Sequence, residues 1–441
     1  MAHDSFFRQS VLNLSAQVVL AGVTLLSLLL LARWLGPAGN GAFNLAVLTA
    51  TLLLQFGNLG LGASTIYFAS NRRFPLETVA GTALAFGGAW LLLAATVVGV
   101  ALPYGTLEAL ADTLGLTPGS LATAIMAAPF LIQTLLCSGI ALGLGRVLAY
   151  NAVYVTRAVL LILLATALLI GGRLDAGRAV TAYSAAALTG AIHALWLVRI
   201  KGKRWQVSLP FFRAAIGYGL KAYVGSFAQF LSYRVNVFIV AHFMGVESVG
   251  YYAVALVAAE GLWLVGGSVG QILFPRIAAL GGAEGSDLSA RVTRAVLAGV
   301  IVLSLGVAVL ASPLIRLLFG PSYLPATPAL LWLLPGVVLL SIPKVLSNDL
   351  AGRGHPEMGA ASAVVSLIVS LPLNFLLIPR WGLVGAAFAS SAGYAAATGM
   401  ILADFHRLTG VRWIDALVIT ADDLRLYGRM AARLLRPSGH P

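Results

Sequence analysis

Inside the apolar stretch YGLKAYVGSFAQFLSYRVNVFIVAHFMG, residues 218–245, the side chains Ser226, Gln229, Tyr233 and Asn236 recur at spacings of 3, 4 and 3. At about 100° per residue these positions share one helical face about 80° wide. Lys221 and Arg234 flank that face on its two sides. A polar stripe flanked by two cations is the pattern of a helix lining a wet, basic cavity. Lys221 has two readings, a cation lining a wet cavity or a side chain snorkelling to the interface, because the apolar stretch is longer than a bilayer needs.

The same spacing logic picks out further groups. Tyr150, Tyr154 and Arg157 sit at i, i+4 and i+7, and so do Ser341, Lys344 and Asn348, with Asp349 beside the last. Arg157 falls near the middle of its apolar run, whereas Lys344 and Asp349 are expected to pair near the end of theirs. Arg33 closes the first apolar run, where a cavity mouth and an interfacial anchor are equal readings. Acids within apolar runs are few, Glu260 near the middle of one and Asp349 towards the end of another. An ionisable side chain at mid-bilayer costs about 2.5–3.5 kcal/mol on insertion scales, so each requires a cavity, a partner or the interface. Glu260 is read either as the neutralising partner of an arginine or as the carrier of a coupling proton, with Asp349 as a second coupling candidate. Cations outnumber acids in this set, so the expected ligand is anionic.

The elements that must position these residues follow from composition. Hydrophobic residues make up 59% of the 441, charged residues 10%, and mean hydropathy is +0.93, far outside the range of soluble domains. The apolar runs are unbroken rather than alternating, which predicts membrane-spanning helices and not a barrel. Runs of about 20 apolar residues give twelve spans, near 11–33, 42–69, 78–102, 119–144, 147–170, 179–198, 214–243, 249–273, 292–312, 324–350, 357–378 and 383–403. The first is read as a retained span rather than a cleaved signal.

Lysine and arginine crowd the connections on one side, with Arg72, Arg73, Arg146, Arg353 and the run from Arg199 to Arg213. That bias predicts both termini in the cytoplasm. Much of the net charge of +13 is then a topology signal and calls for no nucleic-acid partner.

An internal repeat links the halves. LGPAGNGAFNLAV from Leu35 matches MGVESVGYYAVAL from Met244, pairing Gly36 with Gly245 and Gly41 with Gly250, and the pair Gly145–Arg146 resembles Gly352–Arg353 at a similar offset. The expected fold is an all-α integral membrane protein of about twelve spans in two repeated six-helix lobes around a central cavity. The expected segments are an N-terminal lobe at 1–200, a basic cytoplasmic linker at 201–213, a C-terminal lobe at 214–403 and a basic tail at 404–441. The tail reads equally as an amphipathic helix on anionic lipid or as a solvated one.

The single cysteine, Cys137, lies in an apolar run and is expected to pack. No Walker A, HExxH or GxSxG pattern occurs, and the six histidines are scattered, so no hydrolytic machinery, metal or cofactor is expected.

Several segments, each loose alone, share an order and spacing: ARWLGPAGNGAFNLA, FGNLGLGASTIYFAS, YRVNVFIVAHFMGVESVGYYAVA, LFPRIAAL, LSNDLAGRGHP and PRWGLVGAAFASS. Over roughly residues 8–403 the chain resembles the Wzx-type lipid-linked oligosaccharide flippases of the multidrug/oligosaccharidyl-lipid/polysaccharide (MOP) superfamily. The resemblance implies a non-enzymatic transporter in the bacterial inner membrane. It implies transfer of an undecaprenyl-diphosphate-linked sugar repeat unit to the periplasmic leaflet by alternating access, with membrane lipids and polysaccharide polymerase or assembly proteins as partners. Such members often carry Arg-x-Asp where this chain has Arg234-Val235-Asn236, so Asn236 removes an acid and leaves Glu260 as the mid-membrane coupling candidate. Two other classes compete, a drug or cation antiporter of the same superfamily and a membrane polysaccharide polymerase or ligase. The first should line its cavity with acids, and the second should carry a large outer loop with acid/base groups.

Overall fold

The computed structural model describes residues 2–198, 204–280 and 282–418, with 420 and 423; within them, side chains are described from residue 19 on, apart from 221, 222, 264, 265, 271, 272, 274–276, 278, 279 and 283. The side chain of Lys221, the cations Arg199, Lys201 and Lys203, and the tail from 424 on lie outside the described residues. The chain is helical almost throughout: α1 Ala2–Gly57, α2 Leu61–Asn71, α3 Leu76–Ala101, α4 Thr106–Leu114, α5 Pro118–Gly143, α6 Val147–Ile170, α7 Ala176–Val198, α8 Leu209–Leu280, α9 Gly282–Leu318, a 3-10 turn Pro321–Ala326, α10 Thr327–Gly352, α11 Pro356–Thr409 and α12 Trp413–Leu417.

Among the described residues nine helices are long and apolar enough to cross a membrane. Three of these, α1, α8 and α11, are broken at Gly36, Gly245 and Gly382, so each accommodates two of the twelve expected spans. Gly36 (φ 67°, ψ 177°) and Gly245 (φ 77°, ψ 173°) share a left-handed conformation that a side chain rarely adopts. The two residues that the repeat aligns therefore make the same turn. Large apolar side chains such as Leu92, Ile170 and Val309 are 71%, 82% and 80% exposed; an exterior of this kind belongs in lipid, where burying apolar groups in protein gains little.

Two compact units are present. The first comprises residues 1–230, 237–253 and 316–324 and the second 231–236, 254–315 and 325–441. In the first, α5 is the most deeply buried span, and its Ile132, Leu136, Cys137 and Ile140 pack with Phe68, Val79, Val153 and Phe211. Cys137 is buried there, as expected for a packing residue, and Gln133 donates to its sulfur. In the second unit α10 takes the corresponding place, with Ile342, Leu346 and Leu350 against Ile401 and Phe405, and Val345 against Val296 and Val300.

Glycines set how closely backbones pass within the first unit. A Cβ on Gly41 would overlap the Val246 carbonyl, and one on Gly250 the Pro37 carbonyl. The crossing is reciprocal between repeat-related glycines. A second crossing pairs Gly60 with Gly219, each of which meets the other's backbone. Ser64 Oγ donates to the Ala215 carbonyl beside it at 2.6 Å, and Tyr67 stacks on Tyr218 at 4.2 Å.

Two helix ends differ from the sequence reading. Helix α8 begins at Leu209, inside the expected linker, and α11 runs to Thr409, inside the expected tail. Arg294, at the start of the expected span 292–312, is buried: it pairs with Asp423 through Nε at 2.6 Å and Nη2 at 3.1 Å and also donates to the Asp415 carbonyl. Thr420 and Asp423 exchange hydrogen bonds, as in a capping box.

The hydrogen bonds from Arg294, helped by those from Thr420, hold the Asp423 carboxyl well below the usual carboxylate range. A carboxyl lowered in the folded state contributes stability above its unfolded value, about 3.9, and loses it as pH falls through the lowered folded value. The Asp423→Asn protein is therefore expected to exchange amides over 411–423 faster than wild type at neutral pH. The underlying loss is on the order of 3 kcal/mol, since Arg294 is left buried without its partner. The difference should shrink only in strong acid; equal exchange at neutral pH would show that the pair fixes nothing.

Candidate functional site

The strongest constellation lies in the second unit, where α8, α10 and α11 meet. Arg234 and Glu260, both on α8, form a two-pronged ion pair at 2.5 and 3.0 Å, with side chains 30% and 22% exposed. Glu260 is thus paired with an arginine in this structure. Lys344 Nζ stands over the rings of Tyr233 and Trp263, at 4.9 and 5.2 Å from their centroids. Those rings are 4.8 Å apart, and the buried Tyr394 meets Tyr233 edge-on at 5.8 Å. With two cations to one carboxylate, the cluster is net positive.

Small residues on α8 bring α10 this close. A Cβ on Gly266 would lie 3.2 Å from the Ser341 carbonyl, and one on Gly270 would lie 2.5 Å from that of Lys344 and 2.8 Å from Asn348 Nδ2. The i, i+4 glycines thus seat the α10 turn that carries Ser341, Lys344 and Asn348, a small-residue packing typical of membrane helices. Asn348 Nδ2 donates to the Lys344 carbonyl at 2.8 Å.

Asp349 does not join Lys344. It is fully buried, accepting from Arg353 at 2.9 and 3.3 Å and from Ser289 at 2.5 Å. The expected Lys344–Asp349 pair is corrected by helix geometry: a residue at i+5 lies about 140° round the helix, whereas Arg353 at i+4 shares Asp349's face. Asn236 is likewise buried and donates to Ser390 Oγ at 2.9 Å. A turn earlier, Ser232 donates to Ser366 at 2.7 Å. Ser366 belongs to a buried stripe on α11, Ser362, Ser366, Ser370 and Asn374, spaced four apart. Ser226 and Gln229, on the same face of α8 in sequence, are exposed and lie in the first unit.

A second constellation occupies the first unit. Tyr150 and Tyr154 on α6 lie 5.0 Å apart, and the Arg157 guanidinium is 5.8 Å from the Tyr154 ring and 6.0 Å from that of Tyr183 on α7. Tyr154 and Ser138 share a hydrogen bond at 3.2 Å. Gly190 lies beside the arginine stem, where an added Cβ would make ordinary van der Waals contact at 3.7 Å. Arg33, also in this unit, is exposed and donates to the Leu317 carbonyl; it ties the end of α9 to the end of the first span, and Tyr323 binds the Ala32 carbonyl at 2.7 Å beside it.

Trp263, Tyr183 and Tyr394 went unread in the sequence. The i, i+3 spacing of Glu260 and Trp263 was the available signal, placing an acid and a ring on one face. Among the described residues no three His, Cys, Asp or Glu side chains gather as metal ligands.

Over 191 residues the chain is 25% identical to the "Probable low-salt glycan biosynthesis flippase Agl15" of Haloferax volcanii, a stretch covering 42% of this chain and 40% of that protein. The chain spans about two fifths of the length of the curated relatives it matches. Its fold is that of a solved structure described as "Lipid II flippase MurJ, inward closed conformation", with TM-score 0.73, 14% identity, and 97% of this chain and 94% of that one covered. An inward-facing multidrug resistance MATE family transporter of the MOP superfamily also matches, with TM-score 0.67, 14% identity, and 96% and 99% covered. This is the expected MOP-type fold. Residues 30–328 match the sequence model of the family described as "Polysaccharide biosynthesis protein", and the chain belongs to that family.

Proposed function

We propose that this chain is a non-enzymatic flippase that carries an undecaprenyl-diphosphate-linked oligosaccharide from the cytoplasmic to the periplasmic leaflet of a bacterial inner membrane. Movement is by alternating access, and both termini are cytoplasmic. The observation that carries the reading is the set of cations inside membrane helices, Arg157 by the Tyr154 and Tyr183 rings in the first unit and, in the second, Lys344 over Tyr233 and Trp263 with Arg234 paired to Glu260. Cations cost free energy in the bilayer and point to an anionic cargo. A diphosphate supplies the charge, and phenol, indole, amide and hydroxyl groups supply contacts for sugars. The membrane potential assists, since each negative charge leaving a negative interior gains about 2.3 kcal/mol per 100 mV. Lipid-linked glycan, membrane lipids and polysaccharide-assembly proteins are the proposed partners. The family membership and the likeness to a glycan flippase support the reading.

A binding titration tests it. Purified protein in nanodiscs is expected to bind farnesyl diphosphate and not farnesol. Arg157→Ala should weaken binding about ten- to hundredfold, because a hydrogen bond to a charged group contributes about 1.5–3 kcal/mol. Equal affinity for farnesol and farnesyl diphosphate would contradict the proposal.

A further inference from the structure

The second-unit cluster has the parts of a site for an organic cation. Two aromatic faces lie side by side, Tyr233 and Trp263, their centroids 4.8 Å apart and their planes inclined by 36°. Glu260 stands one helical turn before Trp263 on the same face. Aromatic faces beside a carboxylate attract ammonium groups through the ring quadrupole and charge. In this structure the box already holds an ammonium, that of Lys344, within about 6 Å of both centroids.

The position of Lys344 is built from its root. The carbonyl of Lys344 lies against Gly270, and its Cβ is 3.4 Å from where a Cβ on Gly266 would be. Both glycines lie on α8, the helix that also supplies both box rings and Glu260. The side chain therefore starts beside the box and ends over it.

We propose that Lys344 is a specificity-determining residue whose own ammonium fills the Tyr233–Trp263 box, so that the site rejects organic cations and keeps its positive charge for an anionic ligand. An entering cation has to displace Lys344 from both rings and then share the site with it and with Arg234, whose charge already engages Glu260. Rejection of the wrong ligand by a built-in repulsive group is how specificity is gained without new contacts to the right one. A superfamily fold would then be set for anions or cations in this site by one side chain. The purpose assigned to the box rests on the anionic-lipid reading, but the exclusion of cations is measured without it.

The experiment uses the full chain in nanodiscs and ethidium as the probe, followed by fluorescence polarisation with tetraethylammonium as competitor. Lys344→Ala is expected to bind ethidium at least about tenfold tighter than wild type, a change of about 1.4 kcal/mol. Adding Trp263→Ala to that protein should remove the gain, and Lys344→Arg should behave as wild type. Lys344→Met, which keeps the aliphatic stem, serves if the alanine variant does not fold. A folded alanine or methionine variant with no gain, or wild type that binds ethidium as tightly, overturns the proposal. A parallel titration of wild type with farnesyl diphosphate separates the two ideas. A gain in Lys344→Ala without diphosphate binding by wild type would sustain the exclusion and remove the anionic-lipid function.

Discussion

The Gly41→Val protein is expected to lose the helix crossing at residues 37–41 and 246–250 and to melt well below wild type. The new Cβ would overlap the Val246 carbonyl, and the obstacle is backbone rather than a side chain that can swing away. Overpacking costs about 1–3 kcal/mol when side chains can adjust; here the whole α8 turn has to retreat, so the upper end applies. Gly250→Val, the repeat-related change, should act alike because its Cβ would meet the Pro37 carbonyl. Gly99→Ala in α3 is the control, since nothing lies within 4 Å of its added Cβ, and it should be neutral or slightly stabilising. Thermal melting of the purified proteins reads all three, and a Gly41→Val protein as stable as Gly99→Ala would show that the crossing is not tight.

Arg234→Ala has the second large effect, and its cost divides into two parts. Removing the guanidinium leaves Glu260 largely buried without its bidentate partner, and breaking a buried pair from one side costs about 3–5 kcal/mol. The double variant Arg234→Ala with Glu260→Gln removes the stranded charge and should recover most of that stability, a coupling of up to about 3 kcal/mol in a double-mutant cycle. It should not recover binding of farnesyl diphosphate. Recovery of both would make the pair a structural tie and nothing more. Additive losses in stability would mean that the two side chains do not interact.

Much of this was legible in the residues. Spans follow from apolar run lengths, and the repeat follows from glycines that share a backbone need: Gly36 and Gly245 both take a left-handed turn. The cation clusters were legible because charge in an apolar run is costly and spacing assigns it to a face. Arg157 sits with Tyr154 as i, i+3 spacing requires. What was not legible depended on contacts between distant turns. Glu260 lies 26 residues from Arg234, beyond the Gly245 break, so no helical rule pairs them. Tyr394 reaches Tyr233 from another helix. Lys344 finds rings rather than Asp349, which the i, i+4 rule gives to Arg353. Asn236, read on a wet face, instead belongs to a buried hydroxyl and amide seam with Ser390, where unmet polar groups in the membrane would be costly.

The central claim, that cations inside these helices move a diphosphate-linked sugar across the bilayer, is tested most directly by transbilayer flux. Liposomes holding the purified chain would be loaded with a short-chain polyprenyl-diphosphate sugar, and its appearance in the opposite leaflet followed over time. Wild type should move the lipid above protein-free liposomes, the folded Arg234→Ala, Glu260→Gln double variant should not, and an inside-negative potential should speed outward movement. Flux that is equal in wild type and the double variant and indifferent to potential would contradict the account.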